Sequence, residues 1–192
     1  GTATGSVAAS PEGGRVTGAA PAARLVPLRA IRAVTVFDQS RVAQAIDHAR
    51  RSGAHVISLS LGGLFSTALH TAVRQAVAQN AIVLAAAGNC VGEVVWPARY
   101  DDCIAVAGVN AADRPWKGTC RGPAVDIAAP AEFVLRADAR DPADPARVGG
   151  GQGTSFATAQ LAGIAACWVA HHGRDALIAR LRAGMTLQDL FG

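Results

Sequence analysis

The 192 residues carry a formal charge of +4, with 51% hydrophobic and only 17% charged side chains. So large an apolar share excludes a disordered chain and supplies one buried core. The 18 Lys and Arg are scattered among three Trp, one Tyr and five Phe, with no basic run interleaved with aromatics, which argues against a nucleic-acid surface.

Along the chain, Gly and Pro punctuate alternating strand and helix patterns. Residues 23–29 (Ala-Arg-Leu-Val-Pro-Leu-Arg) form a strand candidate, although Pro27 points to an edge or an irregularity. Ser40 is placed to cap an amphipathic helix running to Arg51, with Val42, Ala45, Ile46 and Ala49 at helical spacing. Ser52-Gly53 turns the chain into a strand over 55–61. A second helix is expected over 66–79, carrying Leu69, Val73 and Val77 on one face. Apolar strands follow over 81–87 and 103–109, and shorter ones over 125–128 and 133–135. The glycines 149–151 read either as a flexible linker or as a place of close backbone approach. They lead into a long apolar helix ending near His171, and a last helix is expected over 174–181. The run 159–170 is too short and too rich in small residues to span a bilayer.

This β-α-β succession of near-continuously apolar strands implies an α/β domain with a mostly parallel sheet between helical layers. No internal linker or repeat divides residues 1–192. Sites in such sheets open at the carboxyl ends of the strands, where Gly62, Gly63, Gly88 and Asn89 fall.

Chemistry concentrates in Gly153-Thr154-Ser155-Phe156-Ala157-Thr158, at the start of the long apolar helix. A serine there is usually an N-cap. It also stands where free backbone N–H groups and the helix dipole favour negative charge, the place for a nucleophile whose product is an oxyanion. Asn89 ends the strand Ile82-Val83-Leu84-Ala85-Ala86-Ala87-Gly88-Asn89. It reads as an ordinary turn residue or as an uncharged donor to that oxyanion. A third segment, Val56-Ile57-Ser58-Leu59-Ser60-Leu61-Gly62-Gly63, is a strand running into a glycine turn, and the chain opens Gly1-Thr2-Ala3-Thr4-Gly5-Ser6-Val7-Ala8-Ala9.

In this order and at these separations, the four segments resemble the subtilisin-like serine peptidases, the subtilases. The resemblance implies a three-layer subtilisin-like fold in which Ser155 is the nucleophile. Asn89 and the Ser155 N–H would form the oxyanion hole. Ser60-Leu61-Gly62 would offer a backbone edge to an extended peptide, with Thr35-Val36-Phe37 as the opposite wall. Ala86, Ala87 and Gly88 would line the pocket for the residue preceding the cut, closed near Cys90 and Val95. With no charge in that set, the expected preference is apolar or broad. Ala9–Gly18 matches the position where many relatives bind structural calcium. One carboxylate, a proline and an arginine make a poor oxygen cage, so no metal and no cofactor is expected. Where the family usually continues with Pro-His after the nucleophile, Ala159-Gln160 stands here, a change of helix packing.

The resemblance also exposes two gaps. In the family the general-base histidine immediately precedes this Gly-Thr, and the catalytic aspartate lies further upstream. The expectation is a catalytic domain truncated at its N-terminus, one residue after its histidine. Its partners are a polypeptide substrate and the missing N-terminal segment, and the resemblance implies a secreted or cell-envelope setting. His48, His55, His70, His171 and His172 read as solvated or helix-terminal, and a serine without a base is a weak nucleophile. The chain alone is therefore expected to be inactive. The alternative keeps the fold without the activity, as a peptide-binding module. A nucleophile elbow is excluded by Ala157, where that motif needs glycine. The four cysteines allow three complete pairings, with Cys90, Cys103 and Cys120 in neighbouring motif regions and Cys167 read as a buried free thiol.

Overall fold

Residues apolar on both faces of a strand require a covering layer on each side, and that requirement organises the molecule. The computed structural model describes residues 1–31, the backbone of 35–36, and 39–89, 92–140, 143–144, 146–173 and 175. In chain order the elements are helix α1 (Thr2–Ala9), strand β1 (Thr35–Val36), helix α2 (Ser40–Arg51), strands β2 (Val56–Leu59) and β3 (Gly62–Gly63), and helix α3 (Thr67–Ala78). Strands β4 (Ile82–Ala86), β5 (Ile104–Val109), β6 (Ile127–Pro130), β7 (Val134–Ala137) and β8 (Val148–Gly151) follow, and then helix α4 (Thr154–His172). The main sheet is parallel in the order β2-β4-β5-β6. Along β4, Val83 and Ala85 pack with Val42, Ile46, Leu69 and Val73 of α2 and α3. The alternate residues Ile82 and Leu84 pack with Ala157, Leu161, Ala165 and Trp168 of α4. The sheet is thus the middle of three layers, and each fully buried Leu, Ile or Val contributes about 1.5–3 kcal/mol.

Helix starts differ in chemistry. Ser66 caps α3, its hydroxyl accepting from the Leu69 N–H at 3.3 Å. At α2 the cap position belongs to Gln39, and Ser40, expected there, is the first helical residue. The Gln39 side-chain amide donates instead to the Leu64 carbonyl, tying this helix end to the loop after β3.

Several expectations are corrected. Residues 23–29 form no strand: Leu25, Val26 and Leu28 are half exposed. A strand exists only with a partner, and among the described residues the outer edge of β2 has none. The strand expected over 125–128 starts at Ile127, and Asp126 before it is tied to Ala105 twice, its N–H donating to the Ala105 carbonyl at 3.1 Å and its carboxylate accepting the Ala105 N–H at 2.7 Å. Of the two readings of residues 149–151 the linker is set aside: they are strand, paired antiparallel with β7, and an added Cβ on Gly151 would meet the Phe156 ring at 2.5 Å. Helix α1 has no counterpart among the elements expected from the sequence. Cys167 is exposed, its thiol 3.5 Å from the Ala19 carbonyl, because α4 turns Leu161, Ala165 and Trp168 inward. Cys103 is a buried free thiol, so the four cysteines are not all paired. The helix expected over 174–181 falls almost wholly outside the described residues.

The β7–β8 hairpin, which delivers the chain to α4, is held by a buried charge. Asp138, only 2% exposed, accepts from Arg140 Nε at 2.7 Å and Nη2 at 2.5 Å. Arg136 and Arg147 stand at 3.6 and 3.5 Å. Hydrogen bonds from the Arg140 guanidinium hold the Asp138 carboxyl well below the usual carboxylate range, against the opposing pull of burial. A carboxyl depressed in the folded state stabilises above its unfolded value, and that stabilisation is lost as pH falls. Thermal melts are expected to drop as pH goes below about 4. Asp138→Asn is expected to lower the melting temperature at pH 7 and flatten that acid limb.

Candidate active site

Three chain segments meet where β2, β4 and β8 end. β2 runs through Ser60 and Leu61 into β3, β4 runs through Ala87 and Gly88 to Asn89, and β8 runs through Gly153 into α4. Thr154 joins them. Its N–H and its hydroxyl both donate to Asn89 Oδ1, at 3.0 and 2.9 Å, and its hydroxyl oxygen accepts the Gly88 N–H at 3.3 Å. Ser60 Oγ donates to the Ser155 carbonyl at 3.0 Å. Residues 65 positions apart are thereby fixed side by side. With Oδ1 so engaged, the Asn89 Nδ2 is left as a donor beside Gly153, where an added Cβ would stand 3.1 Å away. Gly153 also has φ 133°, a conformation that favours glycine.

Ser155 is the second residue of α4, and Gly153 takes the cap position. The Ser155 side chain is therefore not a cap, and its hydroxyl has no hydrogen-bond partner among the described residues. No acidic residue occupies the first turn, so the positive end of the helix is left uncompensated. A hydroxyl at such an end, beside a fixed amide donor, suits chemistry that develops negative charge on oxygen.

The other expected residues are placed as follows. Leu61 is half-buried against the α2/α3 layer. Ala87 is fully buried, its N–H donating to the Val106 carbonyl and its carbonyl accepting from Val95 N–H. Gly88 has φ 112°. Thr35 and Val36 do not stand across an open groove but pair directly, in parallel, with Gly62 and Gly63. Phe37 and Cys90 lie outside the described residues. None of the five histidines bonds to Ser155. His70 reaches Asp102 at 3.2 Å and stacks on Tyr100, His172 packs on Trp168, and His48 and His55 are exposed. Thr154 is the residue that sequence reasoning missed. Its only signal is its place beside Ser155, since the partner it fixes is remote in sequence.

The subtilase family profile matches residues 1–181. The chain belongs to the subtilase family. It is 34% identical over 179 residues to the thermophilic serine proteinase of Bacillus sp. (strain AK1), covering 92% of this chain and 43% of that one. To the thermitase of Thermoactinomyces vulgaris it is 32% identical, covering 92% of this chain and 62% of thermitase. This subtilase chain therefore spans less than two thirds of these relatives' length. Among solved structures, the patellamide maturation protease PatA superposes with a TM-score of 0.78 at 28% identity, covering 97% of this chain and 67% of PatA. The prenylagaramide maturation protease PagA gives 0.79 at 26%, covering 97% and 66%. No helix among the described residues is long and apolar enough to cross a membrane.

Proposed function

We propose that this chain is the nucleophile-bearing part of a serine endopeptidase, acting on a polypeptide substrate. The observation that carries this reading is the hydrogen-bond tie through Thr154, which sets the Asn89 amide beside Ser155 at a helix N-terminus. Ser155 Oγ attacks the peptide carbonyl, and the oxygen becomes an anion held by Asn89 Nδ2 and the Ser155 N–H. The serine proton passes to a base and then to the leaving amine as the C–N bond breaks. Water hydrolyses the acyl ester and regenerates Ser155. The base, a histidine, and the aspartate that orients it come from residues outside these 192.

Ser60, Leu61 and Gly62 offer the edge on which an extended peptide is read by its backbone. Thr35–Val36 occupies the Gly62–Gly63 end of that edge and becomes the opposite wall once an entering peptide parts β1 from β3. A second reading, a peptide-binding module without turnover, is favoured by one observation: none of this chain's own histidines reaches Ser155.

The test is peptide hydrolysis by the chain joined to a segment carrying the histidine and aspartate. Ser155→Ala in that protein is expected to lower kcat by about six orders of magnitude, the effect subtilisin itself shows. Peptide binding without turnover in the completed protein moves the weight to the second reading.

A further inference from the structure

We propose that Val95 sets the size of the residue whose carbonyl is cut, limiting it to glycine, alanine or serine. This deepens the peptidase reading and rests on it. The attacked carbonyl has to lie between Ser155 and the Asn89 amide. An extended peptide sends successive side chains to opposite faces. Of the two faces, the side chain at the reaction centre takes the one toward the slot between two backbone runs, Ser60–Gly62 and Ala87–Asn89. Both runs are fixed to the start of α4, by the Ser60 and the Thr154 hydrogen bonds respectively.

The floor of that slot is raised. The segment carrying Val95 is fastened to both runs: Val95 N–H donates to the Ala87 carbonyl at 3.0 Å, and the Trp96 carbonyl accepts the Gly63 N–H at 2.9 Å. Its isopropyl group fills the space between the two glycines. A Cβ on Gly62 would meet Val95 Cγ2 at 2.7 Å, and one on Gly88 would meet the two methyls at 3.1 and 3.2 Å. Cys120 Sγ also crowds Gly88, 2.9 Å from the same added atom. A branched side chain held on a fixed backbone has few rotamers with which to swing aside. The depth that remains suits hydrogen, methyl or hydroxymethyl. Charge does not enter the choice, because Glu93, the nearest acid in sequence, is exposed and paired with Arg99 at 2.9 Å.

The experiment uses peptides identical except for Gly, Ala, Ser, Leu or Phe at the cut position. It reads kcat/KM in the completed enzyme and, separately, binding to its Ser155→Ala form by calorimetry. Wild type is expected to favour the three small residues over Leu and Phe by at least about ten- to two-hundred-fold, the range that one methylene of misfit produces. Val95→Gly is expected to invert that order, and the milder Val95→Ala to narrow the gap if Val95→Gly folds poorly. Equal turnover of Ala and Phe peptides by wild type, or an unchanged preference in both variants, overturns the assignment and leaves the peptidase reading standing. If no peptide is cut, a binding preference for small residues that inverts in Val95→Gly upholds Val95 and removes the peptidase. Binding that is absent or indifferent to the residue overturns Val95 as well.

Discussion

Purified alone, the 192-residue chain is expected to turn over a fluorogenic peptide about six orders of magnitude more slowly than the same chain completed by a histidine- and aspartate-bearing segment. The size is that of losing the base in subtilisin, a relative of this chain. Its cause here is visible in the site. The Ser155 hydroxyl has no acceptor among the described residues to take its proton, and each of the five histidines is occupied or placed elsewhere. An unactivated serine leaves only the oxyanion donors and substrate positioning, which supply a small remainder of the acceleration. The completing segment is also expected to stabilise. The outer edge of β2 has no strand among the described residues, and Leu25, Val26 and Leu28 are half exposed in a segment that forms no strand. A strand seated at that edge removes unpaired backbone groups and covers apolar surface together. Activity and melting temperature should rise in step on adding the segment. Hydrolysis by the isolated chain that disappears in Ser155→Ala would show that a base is present within it.

What was legible in the sequence follows which physical signal each element carries. Ile82–Ala86 needs cover on both faces, and an unbroken apolar run states that directly. Ser66 announces the start of α3 because a hydroxyl capping an amide is a local interaction. By contrast, residues 23–29 have strand-like side chains, but strand formation depends on a neighbour that no local pattern supplies. Gly149–Gly151 has no side chains to announce a strand, and it becomes one through backbone pairing with Val134–Ala137. Cys167 sits in an apolar stretch, yet its exposure depends on which face of α4 meets the sheet. Within the site, Ser155 and Asn89 were legible through motif resemblance alone. The tie between them through Thr154 arises only when β4 and α4 are brought side by side. The direct pairing of Thr35–Val36 with Gly62–Gly63 had no signal at all, since both segments read equally well as two walls of an open groove.

Asn89→Ala in the completed enzyme is expected to lower kcat by about 10²–10³-fold with KM little changed, the loss subtilisin shows for a donor of this kind, or roughly 3 kcal/mol. The reasoning starts from the acceptor side of the amide. Asn89 Oδ1 takes both the N–H and the hydroxyl of Thr154, which fixes the ring-free side chain in one orientation and leaves Nδ2 facing the site. A donor already oriented costs nothing to align when the oxyanion forms, so its effect falls on the transition state and not on substrate binding. The alanine variant has a second consequence, because Thr154 is 1% exposed and would lose the acceptor for two donors. Each buried donor left unpaired costs about 1–3 kcal/mol of stability. Two further variants separate these effects. Asn89→Asp keeps an acceptor for Thr154 but replaces the donor with negative charge, so kcat should fall at least as far while the melting temperature holds better than in alanine. Thr154→Val removes the hydroxyl and leaves the backbone N–H on Oδ1, so kcat should fall less than in either Asn89 variant. An aspartate variant with near-normal kcat would show that the oxyanion is stabilised elsewhere, and the tie through Thr154 would then be a structural joint between β4 and α4.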